Sequence, residues 1–166
     1  MIYRRSHYSN MSNRTRFPIR LVIRDPHVSL NELLQWSRPN RYNKSTHYSS
    51  WKKKHQELIR IQLETQLRNR WVFNEEIQLL FVFHTTRRLD IDNLASGTIK
   101  VILDGLKKTH VLPDDSPKYI KKITSVCVKT DDPYDWTELY ILLRSDNTNK
   151  ITEILEHDPT QESKSS

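Results

Sequence analysis

The sequence predicts an α+β fold: a single domain with a mixed β-sheet and helices packed on it. Apolar spacing switches between period two and helical periodicity in the order β-α-α-β-α-β-β, with no internal repeat and only two glycines. The stretch EIQLLFVFHT carries apolar residues on both faces, as a strand in the middle of a sheet does. A length of 166 residues suits one domain with a genuine core and is short for two. The domain is expected over residues 16–145, between a flexible basic arm (1–15) and a polar, flexible tail (146–166).

The elements follow in order. FPIRLVIRD alternates around Ile19, Leu21 and Ile23, which predicts a half-buried first strand. SLNELLQW predicts a short helix: Ser29 and Glu32 have capping-box spacing, and Leu30, Leu33 and Leu34 supply an apolar face. SRPNRYNKSTHY, with Pro39 and several Asn and Ser, reads as a basic loop. From Ser50 to about Asn69 a long helix is expected, with Ser50 as N-cap and Trp51, Leu58, Ile61 and Leu67 inward. EIQLLFVFHT follows as the central strand, then a helix starting near Asn93 on the pattern Leu94, Thr98, Val101, Gly105. YIKKITSVCVK and TELYILLR complete the set; the turn-rich TDDPYDW between them predicts an antiparallel neighbouring pair.

Charge narrows the partner. Lys and Arg number 27 against 20 Asp and Glu, giving +7 and a pI near 9.5, a balance that favours a polyanion such as nucleic acid or an acidic membrane surface. Between Arg38 and Arg70 nine basic residues meet only Glu57 and Glu64, with Tyr42, Tyr48 and Trp51 interleaved. That mixture suits phosphates together with sugar or base faces, although for Trp51 a core position is the better reading. The single cysteine, Cys127, has no intramolecular disulfide partner. The N-terminus lacks an apolar leader and no apolar run approaches the ~20 residues of a membrane span, so a cytoplasmic protein is expected.

Against this basic background, RRLDIDNLASGTIKVILDGLKKTHVLPDDS gathers Asp90, Asp92, Asp104, Asp114 and Asp115 around one helix. Asp90 and Asp92 stand two residues apart at a strand end, so both carboxylates can face one ion. Oxygen-only donors suit a hard divalent cation, Mg2+ or Mn2+, and an open face on that cation suits phosphodiester chemistry. Asp114 and Asp115 can add a third carboxylate if the next strand lies beside the first. Carboxylates within ~4–6 Å of each other repel unless a proton or a cation intervenes. Other readings stay open: Asp92 or Asn93 as an N-cap, Pro-Asp-Asp-Ser as a turn, and Asp104 with Lys100 as a surface i,i+4 pair. Lys100 can alternatively reach back along its helix toward the carboxylates and neutralise a phosphate.

LDIDNLASGTIKVILDGL followed by VLPDDS resembles the signature of RusA-type Holliday junction resolvases, which runs Asp-x-Asp-Asn-Leu through Asp-x-Leu to Asp-Asp. The resemblance covers about residues 18–144. It implies a bacterial or phage endodeoxyribonuclease that acts as a homodimer on four-way DNA junctions and makes paired symmetrical nicks with Mg2+. Asp90, Asp92 and Asp115 match the family's essential carboxylates, with Asp114 beside the last. The family's lysine falls at Ser96 here; Lys100 is one turn further on, and Arg87, Arg88 or the basic loop could substitute. Arg38, Arg41, Lys44, Lys52, Lys53, Lys54, Arg87 and Arg88 are the expected contacts to the DNA backbone. A catalytically silent DNA-binding protein and a nuclease acting on flaps or duplexes are the competing classes.

Overall fold

A computed structural model describes residues 18–24, 27–38, 47–67, 75–86, 91–146 and 153. Seven elements fall among them: β1 (Ile19–Ile23), α1 (Leu30–Trp36), α2 (His47–Gln66), β2 (Ile77–Thr85), α3 (Ile91–Lys108), β3 (Ile120–Lys129) and β4 (Trp136–Leu143). The predicted α+β class holds: one mixed sheet in the order β1-β4-β2-β3 carries the helices. No described helix is long and apolar enough to cross a membrane. The expected arm, residues 1–15, lies outside the described residues, as do residues 39–46 of the predicted basic loop, whose last two residues, His47 and Tyr48, open α2 instead.

β2 is the centre. Eight of its nine residues are buried, and it pairs in parallel with β3 and antiparallel with β4. Phe81 and Phe83 face the helices with Leu21, Ile23, Leu139 and Ile141; the alternate residues Leu80 and Val82 join Tyr140 and Leu142 on the other face. The expectation that β3 and β4 pair across TDDPYDW is corrected: β2 lies beside β3, and β4 sits between β1 and β2. Burial decides this order. β4 is buried along almost its whole length, whereas β3 carries exposed Lys121, Lys122 and Lys129, which suit an edge where ladder groups meet water.

The helical faces also differ from expectation. Of the three leucines of α1 Leu33 is buried, with Leu30 and Leu34 on the outside, and the Ser29–Glu32 capping box forms as read. α2 starts at His47 rather than after Ser50 and buries Ile59, Leu63 and Leu67 with His55 and Gln56, leaving Leu58 and Ile61 exposed. The reason lies across the interface. Gln56 meets a polar patch of α3, donating to Asp104 and accepting from Lys108, so the buried stripe of α2 has to include polar residues. Gly105 makes the close approach possible there, since a Cβ at that position would come within 2.6 Å of Ile59 Cγ2. Trp51 is half-buried, packs on the core and stacks on His55.

α3 leaves the sheet through a left-handed residue. His110 has φ 58°, and the amides of Val111 and Leu112 both donate to Leu106 O, which closes the helix end.

Candidate active site

The acidic segment begins beyond the carboxyl end of β2. Asp90, Arg87 and Arg88 lie outside the described residues, as do Arg41 and Lys44. Asp92 is exposed in the first turn of α3, and among the described residues its carboxylate takes no hydrogen bond or ion pair. It is therefore not tied up as an N-cap. Its own carbonyl accepts from Ser96 Oγ at 2.7 Å, so the Ser96 hydroxyl bonds back onto the helix.

The start of α3 is held by segment 27–31. Asn93 Oδ1 accepts from the Asn31 amide at 3.2 Å, and Thr98 Oγ1 both accepts from Val28 N and donates to Val28 O. Gly97 sits directly under this segment: a Cβ there would lie 2.2 Å from Val28 O and 2.8 Å from Ser29 C. Asn93 thus serves as a bracket for α1, a role that its place in the Asp-x-Asp-Asn signature does not announce.

Asp114 and Asp115 stand elsewhere. The next strand does lie beside β2, but it runs parallel, so the chain must return to the starting end of β2 before β3 begins. α3 spans that return. From Asp92 to the last helical residue, Lys108, the rise is about 24 Å. Within one chain the carboxylates of Asp92 and Asp115 are therefore not brought together, and the described residues contain no group of three metal-ligating side chains. Asp115 instead pairs with Lys107 Nζ at 3.0 Å. That ammonium holds the Asp115 carboxyl below the usual carboxylate range, and Asp115 in turn raises Lys107.

The basic residues divide. Arg38, Lys53, Lys54 and Lys100 are exposed. Lys52 is engaged with Asp104 at 2.8 Å, on the second half of α3 and about 18 Å along the helix from Asp92. Asp104 also faces Lys107 at 3.9 Å, so its partners come from α2 and the next turn, and the Lys100–Asp104 pairing is replaced by these. Lys100 stands about 12 Å along the axis from Asp92. Cys127 is a poor nucleophile, because burial pushes its thiol upward.

Two residues at this end of the sheet escaped the sequence reading. Asp135, just ahead of β4, accepts the Thr86 amide on Oδ1 at 3.0 Å and places Oδ2 3.8 Å from His27 Nδ1. His27 is 3% exposed, with Nε2 2.9 Å from Thr137 Oγ1 and 3.0 Å from Trp136 O. DPYDW reads locally as a turn and a lone His before a capping Ser reads as filler, so no local signal marks either.

No protein-family model and no curated protein matches the chain.

Proposed function

We propose that the chain is a Mg2+-dependent endodeoxyribonuclease that nicks four-way DNA junctions as a homodimer. The observation that carries this reading is Asp92. It is an exposed carboxylate without a partner among the described residues, on a braced helix start that follows the central strand, inside a signature of five acids on a basic chain. A carboxylate left open in this way, with only oxygen donors around it in the signature, fits a hard divalent cation.

Asp90, Asp92 and Asp115 would hold the ion, with Asp114 adjacent. When bound, Mg2+ supplies charge neutralisation and a more acidic water for in-line attack on a phosphodiester. Because α3 rises about 24 Å between Asp92 and Lys108 and Asp115 pairs with Lys107 at its far end, both carboxylates can serve one ion only when two copies set opposite ends of their α3 helices together. The homodimer provides that arrangement and gives two symmetrical sites for two symmetrical strands. Arg38, Lys53 and Lys54, with Arg41, Lys44, Arg87 and Arg88, would neutralise the backbone, and Lys52 would join them on leaving Asp104. Recognition by such contacts is by shape and charge and weakens with salt. Lys100 supplies the helix cation in place of the lysine absent at Ser96.

A second reading, a silent junction-binding protein, is favoured by one specific contact: the pairing of Asp115 with Lys107, which satisfies that carboxylate without a metal. One experiment separates them. Purified protein is incubated with labelled four-way junction, flap and linear duplex, with Mg2+, Mn2+ or EDTA. Metal-dependent paired nicks on the junction, lost in Asp92→Asn with binding retained, support the proposal. Binding without nicking supports the silent reading, and equal cutting of flap or duplex refutes junction specificity.

A further inference from the structure

The two edges of the sheet are finished in opposite ways. At the β1 edge, two glutamines one turn apart on α2 stand in for a neighbouring strand. Gln66 accepts from Val22 N and donates to Val22 O, both at 2.7 Å, and Gln62 does the same for Arg24 N and O at 2.6 and 3.2 Å. That edge is closed. At the other edge β3 runs for ten residues, and among the described residues no strand or side chain takes its outward backbone groups. Thr130 N donates inward to Thr85 O, so by strand alternation the amides of Val128, Val126 and Thr124 face β2, while those of Cys127, Ser125 and Ile123 face away from the sheet. None of residues 121–129 is fully buried, and Ile123 is 43% exposed.

An open edge invites pairing, and lysines set along it are a common safeguard. Here the lysines stand only at the ends: Lys121 and Lys122 before the window ITSVCV, and Lys129 after it. The window carries no charge, Pro or Gly, and β-branched residues fill four of its six positions, a composition that accepts another strand. A second copy of β3 fits this edge poorly, because an antiparallel pair centred on Ser125 sets Lys121 opposite Lys129 at both ends. An incoming strand with acidic ends meets attraction at the same places.

We propose that the β3 edge docks an extended acidic segment of a partner protein by strand addition. The outward backbone groups of Ile123, Ser125 and Cys127 supply the ladder, and Lys122 and Lys129 select carboxylates at the two ends of the incoming strand. Lys121 contributes less, since it is already paired with Glu76 at 2.9 Å. This docking does not depend on whether the chain cuts DNA.

The test uses the full chain and a fluorescent ten-residue peptide of alternating Val and Thr with Glu at both ends, beside the same peptide with Lys at both ends. At low salt the Glu-ended peptide should bind about tenfold more tightly, and salt should narrow the difference. Lys122→Glu combined with Lys129→Glu should reverse the order of the two peptides. In hydrogen exchange by NMR, the bound peptide should slow the amides of Ile123, Ser125 and Cys127 by at least about tenfold, and leave those of Thr124 and Val126, already bonded to β2, unchanged. Ser125→Pro removes an outward amide that an edge strand can spare, and should abolish peptide binding while the inward amides stay protected. If that variant unfolds, the Glu-ended peptide N-methylated at alternate residues keeps its charges but cannot complete the ladder, and must fail to bind wild-type protein. Equal affinity for both peptides, or binding of the N-methylated one, overturns the proposal. So does outward-amide protection already present in the protein alone, which means that a second copy fills the edge, or protection given by duplex DNA and not by the Glu-ended peptide.

Discussion

Asp92→Asn and Asp115→Asn, each inactive alone, should regain nicking when the two chains are paired in one dimer. Two oxygens on the same Mg2+ stand at most about 4.2 Å apart, twice the usual metal–oxygen distance. The helix between Asp92 and Lys108 rises about 24 Å, several times that span, and it is packed along its length by Thr98, Val101, Ile102 and Leu106, so it cannot fold back. Each site must then draw Asp92 from one copy and Asp115 from the other. In a heterodimer of the two variants, one site receives both substitutions and the other receives neither. Co-expression with two different tags and purification on both yields that species free of parental dimers. Such a dimer has one intact site of two, so it should nick at about half the wild-type rate per dimer. A cruciform plasmid would accumulate as nicked circles, with paired cutting to the linear form absent. Heterodimers that bind the junction like wild type yet give no nicks refute the shared site. Nicking by Asp115→Asn alone removes Asp115 from it altogether.

Other outcomes follow from particular contacts. Gly97→Ala should destabilise by roughly 1–3 kcal/mol in urea unfolding despite the better helix propensity of Ala, because its Cβ meets the backbone at Val28 O. Gly105→Ala, whose neighbour is the movable Ile59 side chain, should cost less, and the reverse ranking would refute this reading of the close approaches. His110→Gly should stabilise by about 1 kcal/mol, since the left-handed φ of 58° strains any residue with a Cβ. The Asp115 titration followed by NMR should move upward in Lys107→Met. The sign is that of a depressed carboxylate: its small stabilisation is present above the unfolded-state pKa and fades as pH falls through the folded one. Lys53→Ala combined with Lys54→Ala should flatten the slope of log affinity against log salt by up to about 1.8 on duplex DNA, if both contact phosphate.

Local chemistry made several elements legible. The capping box of Ser29 and Glu32, the doubly apolar β2 and the Thr98–Val101–Gly105 stripe of α3 each follow from spacings within a few residues. What local spacing could not give was the choice among partners. In α1 and α2 there are more leucines and isoleucines than buried positions, and α3 selects Leu33, Ile59 and Leu63 while leaving Leu30, Leu34, Leu58 and Ile61 outside. Local spacing sets Asp104 against Lys100, its i−4 neighbour, whereas Lys107 stands on its other side and Lys52 reaches it from 52 positions earlier in the chain. The turn in TDDPYDW is real, but a turn does not state whether its flanking strands touch; the lysines of β3 carried that information as an edge signature.

The same topology explains why the acidic signature looked like one cluster and is not one in a single chain. A parallel β2–β3 pair demands a crossover, and a crossover by an 18-residue helix carries whatever follows it to the opposite end of the sheet. Adjacency of β2 and β3 is therefore what separates Asp92 from Asp115, not what unites them. The carboxylates share an end only in an assembly that reverses one helix against another, as an isologous two-fold does when its axis runs across α3. Each half of the signature is stabilised by its own surroundings: Asp115 by Lys107, and the helix start under Asp92 by Asn31 and Val28. Under the proposed function, a site that requires two copies would make cutting conditional on the dimer, and the chain by itself would bring too few carboxylates together to hold the ion.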